Sequence, residues 1–182
     1  MKDNIILNIC RAAGIVSILS PMVASSQTPT KQNQAKISKT ADKMQTSKLA
    51  ICQYCFWTGE LKIGAIEGVT QTEAGFMDGR EVTLVKYDPK VVTVEKILKQ
   101  AKADGVATGI YLDDPSKLPG SKKFTGYRAA PKSDQKKQIQ GTIFAGLDLT
   151  PEQATKVNAF ARSNPQKAMK YLTPSQISKL QR

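Results

Sequence analysis

"VTQTEAGF" at residues 69–76 and "EVTLVKY" at 81–87 are two runs rich in Val and Thr, and only "MDG" with one further residue stands between them. Two strand-like runs joined by so short a turn signal pair most simply as an antiparallel hairpin. The segments on either side then have to be placed around that hairpin. Before it, "KLAIC" at 48–52 is a short strand candidate. Residues 56 to about 65 are expected to be helical, with Trp57, Leu61 and Ala65 one turn apart and Gly68 ending the run. After it, "YDPK" is a second turn. Val94, Ile97, Leu98 and Ala101 then recur at i, i+3, i+4 and i+7, the spacing of an amphipathic helix, and Gly105 closes it. "VATGIYL" is a last strand candidate, and "DDPSKLPGSKKFTG" is loop. The order strand, helix, strand, strand, helix, strand predicts an α+β fold: a two-layer sandwich with a split β-α-β, ferredoxin-like core.

The C-terminal quarter changes character. "LTPEQ" at 149–153 returns as "LTPSQ" at 172–176. In each, Thr is suited to the N-cap, Pro to the first helical position and Gln to the third, which is a capping box with a proline start. Two short helices are expected, from Pro151 and from Pro174, as a packed extension over residues 131–182.

The chain has no histidine and three cysteines. That excludes His-based catalysis, zinc sites that use His, and a zinc site of four cysteines within one chain. Lys2 and Arg11, the apolar run Ala12–Leu19 and the small residues of "MVASS" predict a cleavable signal peptide over 1–25. The apolar run is short of the ~20 residues a spanning helix needs. Export would make the protein secreted or periplasmic. It would also remove Cys10, leaving Cys52 and Cys55 in an oxidising compartment. Residues 26–47 are polar and poor in large apolar groups, and are expected to be a flexible linker. The formal charge of +12 is carried by dispersed lysines with no nucleic-acid motif beside them. It predicts no nucleic-acid partner and at most a loose association with an anionic membrane surface.

"CQYCFWTGE" at 52–60 holds the chemistry. A Cys-x-x-Cys alone suggests a metal clip or a redox couple, but neither requires Phe56 and Trp57 beside the second sulfur. "YCFWTGELKIGAIEGVTQTEAGFMDG" resembles the active-site segment of the A-type peptide methionine sulfoxide reductases, with its Gly-Cys-Phe-Trp-Gly, helix and glycine-rich turn. "GREVTLVKYDP" keeps Glu81 six residues before Tyr87-Asp88-Pro89, as in that family, and "FTGYRAA" is similar to its Gly-Thr-Gln-Tyr-Arg-Ser. The resemblance covers about residues 48–130, which would form the reductase-like domain. About twenty family residues before Glu81 are missing here, Arg80 precedes it, and Lys122 stands where the family has an aspartate.

The resemblance implies that Cys55 attacks the sulfur of methionine-S-sulfoxide, free or in a protein, as a repair reaction under oxidative stress. A thiolate at a helix N-terminus suits that attack. Phe56 and Trp57 would wall in the small apolar S-methyl group. Glu81 would act as general acid toward the leaving oxygen if burial raises its pKa, and Tyr127 would hydrogen-bond the same oxygen. The sulfenic acid left on Cys55 would be captured by Cys52 as a disulfide, for a thioredoxin-like electron donor to reduce. No cofactor and no metal are called for.

Each residue also has an ordinary role open to it. Cys52 and Cys55 could form a passive disulfide, Trp57 could be core, Glu81 an edge charge and Tyr127 a packing residue. Glu60 would be a first-turn partner of the helix dipole. Two other functions stay open: a thiol–disulfide oxidoreductase using Cys52 and Cys55, and a catalytically inactive binding relative.

Overall fold

The computed structural model describes residues 46–181. The expected signal peptide, and all but the last two residues of the expected linker, lie outside them. The hairpin is formed by β2 (Val69–Met77) and β3 (Arg80–Tyr87), with Met77 opposite Arg80. Its two loop residues, Asp78 and Gly79, have φ of 50° and 71°. Such tight turns match the twist of the flanking strands and favour Asp-Gly, because both residues must be left-handed.

Strand β1 (Ser47–Cys52) lies antiparallel to β3 on one side, with Cys52 opposite Val82, and to β4 (Gly109–Leu112) on the other, with Cys52 opposite Gly109. The short β5 (Lys122–Lys123) and β6 (Arg128–Ala129) complete a six-stranded sheet of order β5-β4-β1-β3-β2-β6. Strand β3 therefore lies between β1 and β2, and β1 lies between β3 and β4. This is the split β-α-β arrangement, and the α+β expectation holds.

Strand alternation gives the sheet two different faces. Leu49, Ile51, Val85, Tyr87, Ile110 and Leu112 face the helices α1 (Phe56–Gly64) and α2 (Val94–Ala103), packing against Ile63, Ile97 and Ala101. Ile63 and Ile97 are fully buried, each contributing about 1.5–3 kcal/mol relative to exposure. The far face carries Ala50, Cys52, Met77, Val82 and Tyr111, covered by Phe124 and Tyr127. Among the described residues, no helix is long and apolar enough to cross a membrane.

The C-terminal segment builds a second cluster around Phe144, Val157, Ala161 and Ala168. Both expected helices are present, α3 (Pro151–Phe160) and α5 (Pro174–Leu180), and both capping boxes are formed. The two box glutamines also bond to each other, Gln153 Nε2 donating to Gln176 Oε1 at 2.9 Å and Gln176 Nε2 to Gln153 Oε1 at 3.0 Å. Between them lies α4 (Pro165–Met169), which the sequence reading did not include.

This extension completes the exposed edge of β2, whose only strand partner on that side among the described residues is β6, at Gly75 and Phe76. The Thr72 N–H donates to Thr155 Oγ1 at 3.0 Å, and the Ala74 N–H to Gln135 Oε1 at 2.9 Å. Gln135 Nε2 returns a bond to the Ala74 carbonyl at 2.8 Å. Side chains thus satisfy an edge that would otherwise be open to pairing.

Candidate active site

Cys55 is the N-cap of α1. Its backbone is extended, with φ −148° and ψ 108°, and its carbonyl accepts the Gly59 N–H at 3.1 Å. The strand thus stops at Cys52, and Gln53 and Tyr54 make the turn. Gln53 is held in place: its N–H donates to the Glu81 carbonyl at 3.1 Å, and its buried amide bonds Thr83. A Cβ on Gly59 would collide with that amide, so the glycine lets the turn pack against the helix.

Glu81 joins Cys55 at this helix start. Its Oε2 accepts the Phe56 N–H at 2.8 Å, so the carboxylate sits on the first helical donor, directly after the cysteine in sequence. Phe76, opposite Glu81 in the hairpin, lies on the same sheet face. Its ring meets Phe56 edge-on at 5.5 Å, and Phe56 meets Trp57 edge-on at 5.9 Å. Phe56 is buried, whereas Cys55, Trp57, Phe76 and Glu81 are half-exposed. The result is a thiol and a carboxylate beside a row of three aromatic rings, the buried Phe56 flanked by the half-exposed Trp57 and Phe76. The sequence reading chose two of those rings. Phe76 was missed, although its register opposite Glu81 could have been counted from the turn.

A cation stands over each end of the row. Lys137 Nζ lies 5.0 Å from the Trp57 ring centre, and the Arg128 guanidinium 4.7 Å from that of Phe76. The Trp57 Nε1 is buried with no hydrogen-bond partner.

The other two expected site residues lie on the far face. Tyr127 stacks with Phe124 at 6.3 Å and crosses Gly75 so closely that a Cβ there would collide with its ring. Its hydroxyl donates to Glu73 Oε1 at 2.8 Å, and its pKa is pushed well up by burial and then by that carboxylate. The structure does not bring Tyr127 to Glu81. The Tyr127 hydroxyl bonds Glu73 instead, because Glu73 and Gly75 alternate to the opposite side of β2 from Ala74 and Phe76.

Cys52 points the same way as Tyr127. It is buried with Met77, Val82 and Tyr111, while Cys55 caps the helix on the other face, and no disulfide joins the two. Arg80 also turns to the far face. Its guanidinium lies beside the Cys52 sulfur, whose proximity raises the arginine pKa. The arginine that precedes Glu81 in sequence is therefore directed at the other cysteine. Cys52, Gln53, Tyr54, Arg80, Glu81 and Thr108 line a cavity of 330 Å³ at this end of the sheet.

Glu60 departs from its expected role. It lies beyond the first turn and is wholly buried. Its Oε2 accepts the Lys136 N–H at 2.8 Å, and its Oε1 pairs with Lys136 Nζ, which also bonds the Thr72 carbonyl. It is the ionic anchor of the C-terminal extension, one helical turn from Phe56.

No family model matches the chain. It is similar to the peptide methionine sulfoxide reductase MsrA of Pelagibacter ubique (strain HTCC1062), at 34% identity over 116 residues, covering 52% of this chain and 74% of that protein. It is also similar to the peptide methionine sulfoxide reductase MsrA of Clostridium perfringens, at 30% identity over 103 residues, covering 39% of this chain and 66% of that protein. With about three quarters of the first relative spanned at that identity, the chain belongs to the family of peptide methionine sulfoxide reductase MsrA.

Proposed function

We propose that the protein reduces methionine-S-sulfoxide to methionine with Cys55 as the attacking nucleophile. The observation that carries this reading is the helix start itself. The Cys55 N-cap, the Glu81 carboxylate on the Phe56 N–H at 2.8 Å, and the Phe56–Trp57–Phe76 row meet on one face of the sheet. The reaction needs a soft nucleophile for sulfur, a proton for the leaving oxygen and an apolar wall for the methyl group. In the proposed step the Cys55 thiolate attacks the sulfoxide sulfur and Glu81 delivers a proton to its oxygen. That oxygen passes to Cys55 as a sulfenic acid, and methionine departs.

Recycling belongs to the same proposal. Cys52 condenses with the sulfenic acid to give the Cys52–Cys55 disulfide and one water, and a thioredoxin-like dithiol reduces it. The Gln53–Tyr54 turn has to move for the two sulfurs to meet, because they start from opposite faces. The basic start and apolar run of the signal-like N-terminal sequence support work in the cell envelope, as repair of oxidised proteins there.

Single-turnover reduction of a methionine-S-sulfoxide peptide by pre-reduced protein tests the reading. Wild type should release close to one equivalent of methionine even without an added donor, and Cys55→Ser none. Full turnover by Cys55→Ser would contradict it.

A further inference from the structure

The aromatic row is framed by positive charge, and nothing in the reduction step itself requires that. Lys137 reaches the Trp57 ring from the C-terminal extension, and Arg128 reaches the Phe76 ring from β6. Among the described residues, neither cation forms an ion pair with a carboxylate. Three carboxylates of the same sheet and helix are committed elsewhere: Glu60 to Lys136, Glu73 to Tyr127 and Glu81 to the Phe56 N–H. Arg128 is exposed, and Lys137 is half-exposed with one long bond to the Ser133 carbonyl at 3.4 Å. Cations resting on ring faces are held near the row by the ring quadrupole yet keep N–H donors for an incoming acceptor.

We propose that Lys137 and Arg128 are specificity-determining residues, which make the site prefer a methionine sulfoxide that carries a neighbouring carboxylate. The inference rests on the proposed sulfoxide reduction and names its substrate class. A methyl group seated against the row brings the residues flanking the sulfoxide toward one cation or the other. Acidic neighbours are then attracted, and basic neighbours repelled. The half-exposed setting limits each pair to the strength of a surface ion pair. The effect lies in binding, so it appears in KM more than in kcat.

The test compares kcat/KM of wild type, at low ionic strength with a dithiol reductant, on two short peptides. One has Asp on both sides of methionine-S-sulfoxide and the other has Lys. A parallel arm compares N-acetylmethionine sulfoxide with its methylamide, asking whether the carboxylate of the substrate residue itself serves instead. The expected preference for the acidic member is about tenfold, summed over attraction and repulsion. It should fall toward unity in high salt and in Lys137→Gln or Arg128→Gln, and persist in Lys137→Arg. Equal kcat/KM in both arms at low salt overturns the inference alone. No turnover of any of the substrates overturns sulfoxide reduction, and this inference with it.

Discussion

The two faces of the sheet treat the two cysteines differently. On the helix face, Cys55 is half-exposed at a helix start, and the next residue, Phe56, meets the Glu81 carboxylate through its N–H and two further aromatic rings through its side chain. On the far face, Cys52 is buried among Met77, Val82 and Tyr111, close enough to Arg80 to raise the arginine pKa. Only two residues separate them in sequence, and one turn reverses their surroundings. Two thiols three positions apart thus meet different surroundings: on the proposed reading, one face serves attack on a substrate and the other holds the resolving thiol. The helix face is also the one that the C-terminal extension stiffens, through Lys136 on Glu60 and Lys156 on the end of α1.

Breaking the stiffening should have the largest effect. Lys136→Ala leaves a fully buried Glu60 without its cation and should lower the unfolding free energy by about 3 kcal/mol or more, read by urea denaturation. A loss near zero would mean that the extension does not anchor the helix face. Next comes Glu81→Gln, which keeps the bond to Phe56 N–H but is a far poorer proton donor. It should slow the single-turnover rate by ~10²-fold, whereas Tyr127→Phe, on the far face, should change that rate by far less. Tyr127→Phe should instead reduce stability by about 1 kcal/mol, through its lost bond to Glu73. Equal rate losses in the two variants would erase the distinction between the faces.

The last effect is one of pH. Lys156 Nζ donates to the Gly64 and Ile66 carbonyls at 2.9 and 2.8 Å. Burial, and then the charge of Lys167, lowers its pKa to about 8. Between that value and the ordinary 10.5 the unfolded chain holds a proton that the folded chain has released. The group therefore costs stability below pH 8, and the cost fades as pH rises toward 10.5. The stability of wild type relative to Lys156→Met should accordingly rise over that window. A difference independent of pH would show that the amine is not perturbed.

Much of this was readable in the sequence because it is local. The hairpin turn, the period of α2 and the two Thr-Pro capping boxes are set by neighbouring residues, and each formed as expected. Glu81 and the Cys-Phe-Trp run were recognisable by spacing within a resemblance. What the sequence hid is non-local. Strand β6 and helix α4 are too short to carry a periodic signal. Thr155 and Gln135 act as surrogate strand partners, a role that follows only from where the chain returns. Glu60 read as a helix-end charge because its partner, Lys136, lies far along the chain. The faces of Cys52 and Tyr127 depend on strand parity counted through a register that only pairing fixes.

The division of labour between Cys55 and Cys52 is tested most directly by intact-protein mass spectrometry after one equivalent of methionine-S-sulfoxide is added to the reduced protein without a donor. Wild type should lose two hydrogens, through a Cys52–Cys55 disulfide. Cys52→Ser should still release one methionine and gain one oxygen on Cys55. If Cys52→Ser gains no oxygen, or if the oxygen in any variant is found on Cys52, the assignment of attack to the helix face and of resolution to the far face is wrong.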